Sequence, residues 1–426
     1  MENYAFETLA VHGGYSPEPT THANVLPIYM TTAYSFDSVE HARKLFALEE
    51  SGNIYTRLQN PTNTAFEDRI SLLEGGCGAV AASSGHAAIT MTLLTLCTCG
   101  SEIISSSTIY GGAINLLGKT FARMGIKVHF VDINDIKAVE ALVNDNTRVI
   151  FAESIGNPKA DIADIDALSD VAKRHGIPLI IDNTFATPAL LRPFEHGANI
   201  IIHSSTKYLA GSSTVMGGVV VDGGNFEWKS NPRFPEFNTP DDSYHGIVYA
   251  DAAGKAAFIT KLRTHILRDI GACQSPFNSW VTMLGLETLP LRMERHSENA
   301  LKVAKFLESH PMVEKVDYPA LPSSKYFNLA RKYLPNGTSG VFTFEIKGGR
   351  EAGAKFCDSL KLLRIVANLG DSRSMVSHPA TTTHSQLSDE QLANAGISPS
   401  TIRLSIGIEN ADDIIADINN ALNACK

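Results

Sequence analysis

The chain has 426 residues, of which 44% are hydrophobic and 19% are charged, and its formal net charge at pH 7 is -9. This composition is typical of a globular protein with a large core domain and a second, smaller domain. Without blocks of lysine and arginine, neither nucleic acid nor an anionic membrane is expected as a partner. No apolar run approaches the roughly eighteen residues of a membrane span, and the acidic residues 1–7 do not resemble a signal peptide. A cytoplasmic location is therefore expected.

The cysteines and histidines do not form a metal-binding pattern. The six cysteines are scattered, and none form a C-x-x-C pair. Cys97 and Cys99 adjoin an apolar segment, so they are expected to be buried structural thiols. His378 and His384 lie in a loop rich in serine, threonine and proline without acidic or cysteine companions. No metal site is predicted.

Residues 1–60 alternate short apolar pieces with turn residues. This pattern does not indicate an independent core, and it predicts an extended N-terminal arm that lies on another surface, such as a neighbouring subunit. The dipeptide Asn60-Pro61 predicts a turn before a helix over residues 64–74.

Residues 61–260 are predicted to form a large domain. From Gly75 to about Gly224, short apolar runs alternate with segments of helical period, which indicates an α/β fold with a mostly parallel sheet and helices on both faces. The turn Ser83-Ser84-Gly85-His86 leads from a strand into a helix and predicts N–H groups able to bind a phosphate. The apolar runs are residues 79–82, 102–106, 128–131, 148–152, 179–181 and 200–202.

Residues 223–251 are rich in aromatic residues and proline and have no periodicity. We interpret them as an ordered loop inserted into the large domain, and hypothesise that it covers a ligand site. Residues 261–426 are expected to contain a long helical region at 276–309 and a smaller C-terminal α+β domain. In that domain strands are predicted at 313–317, 341–346 and 401–408, and helices at 352–360 and 411–424.

The run at residues 200–202 is followed by hydroxyl residues and then by Lys207. If this run is a buried parallel strand, Lys207 lies at the edge where open α/β sheets bind ligands. A lysine alone in this position is more often an exposed surface residue. Asp182, however, ends the preceding run and would lie at the same edge. A lysine that forms a Schiff base and an acid that keeps a pyridine nitrogen protonated are the pair required by pyridoxal 5'-phosphate, PLP.

Several motifs together resemble the Cys/Met-metabolism family of fold-type-I PLP enzymes, and the match runs over nearly the whole chain. Within the family, the chain is similar to O-acetylhomoserine sulfhydrylases. The resemblance implies the fold-type-I architecture and PLP as the cofactor. The motifs are Tyr55-Thr56-Arg57, Ser84-Gly85, Tyr110-Gly111-Gly112, Glu153-Ser154-Ile155-Gly156-Asn157-Pro158, Asp182-Asn183-Thr184 and Ser204-Ser205-Thr206-Lys207.

The resemblance also implies individual roles. Lys207 would hold the cofactor covalently and move protons between the substrate's Cα and Cγ as general base and acid. Asp182 would pair with the pyridinium nitrogen, and Tyr110 would stack on the ring and assist proton transfer. The phosphate would be held by the amides of Gly85 and His86 with the hydroxyls of Ser204 and Thr206, and by Tyr55 and Arg57 of a neighbouring subunit. A homotetramer built from dimers that share active sites is therefore expected.

The substrate would be bound by three further residues. Arg403 would grip its carboxylate through the guanidinium fork, although a strand arginine paired with a structural acid is the alternative. Asn157 would bind near the ring hydroxyl or the substrate carboxylate, and Asn368 would contact the substrate. Glu153 would support the site from behind.

Two positions distinguish related reactions. Relatives that act on cystathionine carry an acidic residue where this chain has Ala367, so a distal ammonium would lack a partner here. Methionine γ-lyases carry a cysteine where Gly112 stands. The resemblance thus implies γ-replacement on O-acetylhomoserine by sulfide or a small thiol such as methanethiol, giving homocysteine or methionine and acetate. The alternatives are γ-elimination to α-ketobutyrate, ammonia and thiol, and a non-catalytic cofactor-binding protein.

Overall fold

The computed structural model describes residues 4–382 and 397–425, which are organised around two sheets. The larger sheet is built from seven strands: β1 (Gly78–Ala82), β2 (Glu102–Ser106), β3 (Lys127–Val131), β4 (Thr147–Glu153), β5 (Leu179–Asp182), β6 (Ile200–His203) and β7 (Gly218–Asp222). Their spatial order is β1-β7-β6-β5-β4-β2-β3. The pairs from β6 to β3 are parallel, whereas β7 runs antiparallel to both β1 and β6. The predicted mostly parallel sheet is confirmed.

The larger sheet is buried on both faces. In β6, Ile201 belongs to one apolar core, whereas Ile200 and Ile202 belong to the core on the opposite face. This alternation follows from the period of two along a strand, and runs that are apolar on both faces are typical of parallel sheets between helices. The fold therefore leaves the ends of the strands, and not their faces, for ligands.

The helices, in chain order, are α1 (Phe6–His12), α2 (Val39–Phe46), α3 (Pro61–Glu74), α4 (Gly85–Leu96), α5 (Gly111–Asn115), α6 (Ile136–Ala141), α7 (Ile165–His175), α8 (Thr187–Leu190), α9 (Tyr249–Ala253), α10 (Ala257–Lys261), α11 (Arg268–Ile270), α12 (Pro276–Glu287), α13 (Leu289–Glu308), α14 (Phe327–Tyr333), α15 (Gly349–Ser359) and α16 (Ala411–Asn423). Short 3-10 turns lie at Pro193–His196, Pro235–Phe237, Gly254–Ala256 and Pro379–Thr381, and π-helical turns at Leu116–Phe121 and Leu262–Leu267. Among the described residues, none of these helices combines the length and the apolar character needed to cross a membrane.

The smaller sheet contains β8 (Val313–Asp317), β9 (Val341–Ile346), β10 (Arg364–Ile365), β11 (Met375–Ser377) and β12 (Thr401–Ser405) in the order β10-β11-β12-β9-β8. Its strands pair antiparallel except for β10 and β11. Apolar residues of α13, α15 and α16 cover one face and form a separate core with Phe342, Phe344 and Ile402. A smaller α+β unit was predicted here.

Local sequence signals explain how α3 and α4 begin. The side chain of Asn60 accepts a hydrogen bond from the Thr62 N–H at 3.0 Å, and Pro61 occupies the first helical position, where its missing N–H costs nothing. The Ser84 hydroxyl accepts the Ala87 N–H at 3.1 Å and caps α4 directly after β1. Both caps fix where the chain turns from loop or strand into helix.

The N-terminal segment differs from the predicted extended arm. It contains α1 and α2, and Leu9 and Ala10 of α1 are buried in the same core as Ile70 and Leu73 of α3. The sequence signal was weak because α1 has only seven residues and is stabilised by tertiary packing.

The insertion at residues 223–251 forms an aromatic cluster on the large domain. The ring of Trp228 stacks on Phe237 at 4.4 Å and on Phe258 of α10 at 5.9 Å, and all three are buried. The insertion thus extends the core of the large domain.

Candidate active site

A cavity of about 320 Å³ lies at the carboxyl ends of β4, β5 and β6. The described residues of the insertion contribute nothing to its lining, so the insertion does not cover the cavity of its own chain. Apart from Tyr55 and Arg57, all the predicted site residues line the cavity: Gly85, His86, Tyr110, Asn157, Asp182, Ser204, Thr206, Lys207, Asn368 and Arg403. The structure therefore brings together residues that are more than 300 positions apart in sequence.

Lys207 lies in the turn that follows β6, and its Nζ donates a hydrogen bond to the side-chain oxygen of Asn368. Burial, together with the positive charge of Arg403, lowers the pKa of Lys207 to about 8. Since a nucleophile or general base must be a neutral amine, this pKa suits both roles near neutral pH.

Arg403 occupies β12, between β11 and β9, and its side chain enters the cavity from the smaller sheet. Its Nη1 donates to Asn157 Oδ1 and its Nη2 donates to the main-chain oxygen of Asn368, each at 3.3 Å. Burial lowers the pKa of Arg403 to about 10, so the guanidinium still carries its charge at neutral pH. Both partners are uncharged, which leaves the positive charge available for a carboxylate.

Asp182 ends β5 and lines the cavity. Its Oδ1 accepts the main-chain N–H of Thr184 at 3.0 Å and also the Thr184 hydroxyl. Burial raises the pKa of Asp182, and the two hydrogen bonds from Thr184 oppose this shift. A cationic ring nitrogen facing this carboxylate would further favour its charged form.

Tyr110 lies beside the cavity, immediately before α5. Its main-chain N–H donates to Glu153 Oε1 at 2.7 Å, and its ring meets the ring of His86 edge-on with centroids 5.5 Å apart. Close contacts also limit the space at Gly112, where an added Cβ would lie 2.6 Å from Tyr110 Cε1. A side chain at position 112 would therefore displace the tyrosine ring, which is otherwise about half exposed.

One end of the cavity is suited to an anion. Gly85 and His86 form the first turn of α4, where main-chain N–H groups lack helical partners and the helix dipole is positive. The turn after β6 packs closely against the start of α4, since a Cβ added to Gly85 would lie 2.7 Å from Ser204 Cβ. The Thr206 hydroxyl is oriented by Gly217, whose N–H it accepts at 3.0 Å. Such an N-terminus with hydroxyl groups nearby has the donors that a phosphate requires.

Tyr55 and Arg57 lie outside this cavity. The Tyr55 side chain is 42% exposed, and Arg57 Nη1 donates to the main-chain oxygen of Arg268 at 2.6 Å. Their predicted contact with a phosphate is therefore not made within one chain.

Two residues that line the cavity were not given specific roles from the sequence. Thr184 was named only within a motif, and Glu153 was expected only to support the site. For Thr184 a signal existed, because an aspartate often binds the main-chain N–H two residues later. For Glu153 no local signal was available, since its partner Tyr110 is 43 residues away.

Among the described residues, no cluster of three or more histidine, cysteine, aspartate or glutamate side chains is arranged to hold a metal. His378 has its Nε2 within 2.8 Å of the main-chain oxygen of Pro399, whereas His384 lies outside the described residues.

Comparison with known proteins identifies relatives along the whole chain. The model of the Cys/Met metabolism PLP-dependent enzyme family matches residues 7–423. The chain is 49% identical to an O-acetyl-L-homoserine sulfhydrylase of Leptospira meyeri, over 99% of this chain and 97% of the relative. It is 46% identical to a homocysteine synthase of Schizosaccharomyces pombe, over 99% of both chains.

A solved structure is also similar. The crystal structure of an O-acetylhomoserine (thiol)-lyase from Campylobacter jejuni matches with a TM-score of 0.96 and 44% identity, covering 99% of this chain and all of the other. That protein carries a pyridoxyl group bound to a lysine.

The cavity fits PLP on the grounds of its own side chains. It presents an amine of lowered pKa at Lys207, a carboxyl at Asp182 and an anion site at the first turn of α4, as a phosphorylated pyridine aldehyde requires. The full-length family match and the structural similarity agree with this chemistry. The chain therefore belongs to the Cys/Met metabolism family of PLP-dependent enzymes.

Proposed function

We propose that this protein catalyses γ-replacement on O-acetylhomoserine, in which sulfide or a small thiol such as methanethiol replaces acetate to give homocysteine or methionine. The observation that carries the proposal is the position of Lys207 and Arg403, which share one cavity and have uncharged amide oxygens as partners. Relatives named O-acetyl-L-homoserine sulfhydrylase, 49% identical to this chain, support the same reaction.

Arg403 binds the carboxylate of the amino-acid substrate. Its two terminal nitrogens are held by Asn157 and Asn368, so the guanidinium is oriented before the substrate arrives. Asn368 also donates to the Ser213 hydroxyl at 2.9 Å, which fixes its side chain. A carboxylate bound to Arg403 would lie in the same cavity as the Lys207 amine.

PLP, when bound, withdraws electrons from the substrate and so allows protons to leave Cα and Cβ and acetate to leave Cγ. Asp182 keeps the negative charge that favours a protonated ring nitrogen. Lys207 takes the Cα proton as the neutral amine and later returns a proton as the ammonium, which its pKa of about 8 permits in both directions. Tyr110, which lines the cavity, would stack on the pyridine ring of PLP.

Ala367 supports O-acetylhomoserine as the substrate, because the end of this molecule that is remote from Cα carries no charge. Ala367 lines the cavity beside Asn368. Its methyl group offers no partner to an ammonium at the far end of a longer substrate, whereas an uncharged acetyl ester needs none.

We also propose the assembly and the domain limits. Residues 1–60 form the N-terminal segment, residues 61–260 the PLP-binding domain with its insertion, and residues 261–426 the linking helices and the small domain. The protein forms a homotetramer of dimers in which Tyr55 and Arg57 reach the phosphate of the adjacent subunit, a role supported by their location outside the cavity of their own chain. A cytoplasmic location is supported by the six free cysteines.

Product analysis of the purified holoenzyme with O-acetylhomoserine, with and without sulfide, tests the function. Homocysteine that forms only when sulfide is added, with little α-ketobutyrate in its absence, is the expected result. Equal amounts of α-ketobutyrate and ammonia under both conditions would instead identify a γ-lyase. Cofactor absorbance without turnover of any homoserine ester would identify a non-catalytic protein.

A further inference from the structure

Two carboxyl side chains face the cavity from neighbouring strands. Glu153 ends β4 and Asp182 ends β5, and the two are direct partners in the parallel register. Partners in a parallel pair project to the same face of the sheet, and both side chains line the cavity. Both residues are only partly accessible to solvent, and repulsion between two such neighbouring carboxyls favours one charged and one protonated group.

The hydrogen bonds indicate which carboxyl is charged. Asp182 receives two donors from Thr184 on one oxygen, which stabilises a carboxylate. Glu153 receives the Tyr110 N–H on Oε1, whereas its Oε2 is buried and has no hydrogen-bond partner. A buried charged oxygen without a partner is costly, and a protonated one is much less so.

The surroundings of Glu153 agree with a neutral acid. Burial and then the charge of Asp182 raise the pKa of Glu153 well above its usual value, and Asp161 on the following loop acts in the same direction. The main-chain N–H groups of Tyr110 and Asn157 oppose this shift only in part.

Glu153 also fixes the segment that carries Tyr110. Its Oε1 accepts the Tyr110 N–H at 2.7 Å, directly before the short helix α5. On the other side of this segment, the Thr108 hydroxyl donates to Asp161 Oδ2 at 2.6 Å. The loop after β2 is thus tied to the loop after β4, which also carries Asn157.

We propose that Glu153 is a positioning residue that stays protonated: its neutral carboxyl holds the main chain of Tyr110 at the cavity and leaves the negative charge there to Asp182. The proposal rests on the proposed roles of Asp182 and Tyr110 toward PLP, and not on the identity of the acyl donor or the thiol. A charged Glu153 would compete with Asp182 for the ring nitrogen and would attract protons to Lys207.

The first test is the pH titration of the near-visible absorbance of the PLP-loaded protein, which reports protonation of the link to Lys207. Glu153→Gln removes no charge from a neutral acid, so the midpoint is expected to shift by less than roughly 0.3 pH unit. A fall of about one unit or more would show that a negative charge had been removed and would overturn the proposal. Asp222→Asn is the matched control, because Asp222 is a buried carboxyl on β7 outside the cavity.

The second test separates positioning from general stability. Glu153→Ala removes the acceptor for the Tyr110 N–H, and we expect kcat to fall about tenfold or more while KM changes less. Glu153→Gln retains the acceptor and is expected to recover most of this loss. Equal losses in both variants would overturn the positioning role. Far-ultraviolet circular dichroism and bound PLP, measured for each variant, identify any that fail to fold.

The titration uses no substrate. A failure of the proposed γ-replacement, for example abundant α-ketobutyrate, therefore leaves its outcome intact. Conversely, a large midpoint shift in Glu153→Gln would reject the neutral acid and leave the reaction assignment unaffected.

Discussion

The cavity and the insertion at residues 223–251 differ in how their charged side chains are paired. Asp241 of the insertion lies 3.2 Å from Lys261 Nζ of α10 and 3.1 Å from His265 Nδ1, and Lys261 lies over the Tyr249 ring at 4.6 Å. In the cavity, Lys207 and Arg403 are bound by amide oxygens, and neither forms an ion pair within residues 4–382 and 397–425. The charges around the insertion are paired with opposite charges, whereas those of Lys207 and Arg403 remain available to a bound anion.

The pKa values follow this difference. Burial alone would raise the pKa of Asp241, but hydrogen bonds from Ser243 and the charge of Lys261 hold it well below its usual range. Burial without a countercharge instead lowers the pKa of Lys207 to about 8. The insertion therefore uses charge to stabilise the fold, whereas the cavity retains an electrostatic cost that a bound carboxylate or phosphate offsets.

Removing the reactive amine gives the largest expected effect. Lys207→Ala eliminates both the covalent link to PLP and the group that moves protons, so kcat is expected to fall by about 10³-fold or more. Steady-state homocysteine formation measures the loss. Lys255→Ala, at an exposed lysine outside the cavity, is the control, and residual activity of Lys207→Ala within tenfold of the wild type would contradict the role.

Removing the guanidinium of Arg403, which has no ion-pair partner among the described residues, is expected to have the next largest effect. Arg403→Leu abolishes the charge-assisted bonds to the substrate carboxylate, and kcat/KM should fall about 10- to 100-fold, mainly through KM. Arg123→Leu, at an exposed arginine outside the cavity, should change kcat/KM less than about twofold. An unchanged KM in Arg403→Leu would exclude Arg403 as the carboxylate-binding residue.

The lowered pKa of Lys207 predicts how fast the cofactor-free protein takes up PLP. Only the neutral amine attacks the aldehyde, so the rate should rise about tenfold per pH unit below pH 8 and level off above it. Stopped-flow absorbance follows the reaction. Continued increase toward pH 10 would show that the pKa of Lys207 is not lowered.

Breaking the paired charges of the insertion should change activity least. Asp241→Asn leaves Lys261 buried without its countercharge and is expected to reduce the free energy of unfolding by about 2–4 kcal/mol, with kcat within about twofold of the wild type. Denaturant unfolding and steady-state kinetics provide the two measurements. Asp242→Asn, at the adjacent exposed aspartate, is the matched control. A fall in kcat of more than about tenfold with an unchanged free energy of unfolding would contradict the separate roles of the two regions.

Much of the fold could be predicted from periodicity because the strands are buried on both faces. The predicted strands at 313–317 and 341–346 coincide with β8 and β9, and the predicted run at 179–181 differs from β5 by one residue. β7 was not predicted, and its antiparallel direction is not encoded in a local apolar pattern. Direction depends on the crossover connections and on pairing with β1 and β6.

Sequence reasoning could group candidate site residues where the residue type itself suggests the chemistry, and it could not where a role depends on neighbouring residues. Lys207 follows β6 and Asp182 ends β5, so the rule that ligands bind at strand ends was sufficient to place them at the same edge of the sheet. The partnership of Glu153 with Tyr110 and Asp182 depends on strand register and on a loop folding back, and neither is visible in residue order.

The sequence by itself determined the α/β class, the strand that precedes Lys207, the acid that accompanies this lysine and the family motifs that imply PLP. Only the tertiary structure decided which charges are paired and which are left buried without an opposite charge. The physical reason is that a residue's type sets its ordinary pKa, whereas burial, neighbouring charge and hydrogen bonds set its actual value. Those three factors come from residues distant in sequence, as Asn368 and Arg403 around Lys207 demonstrate.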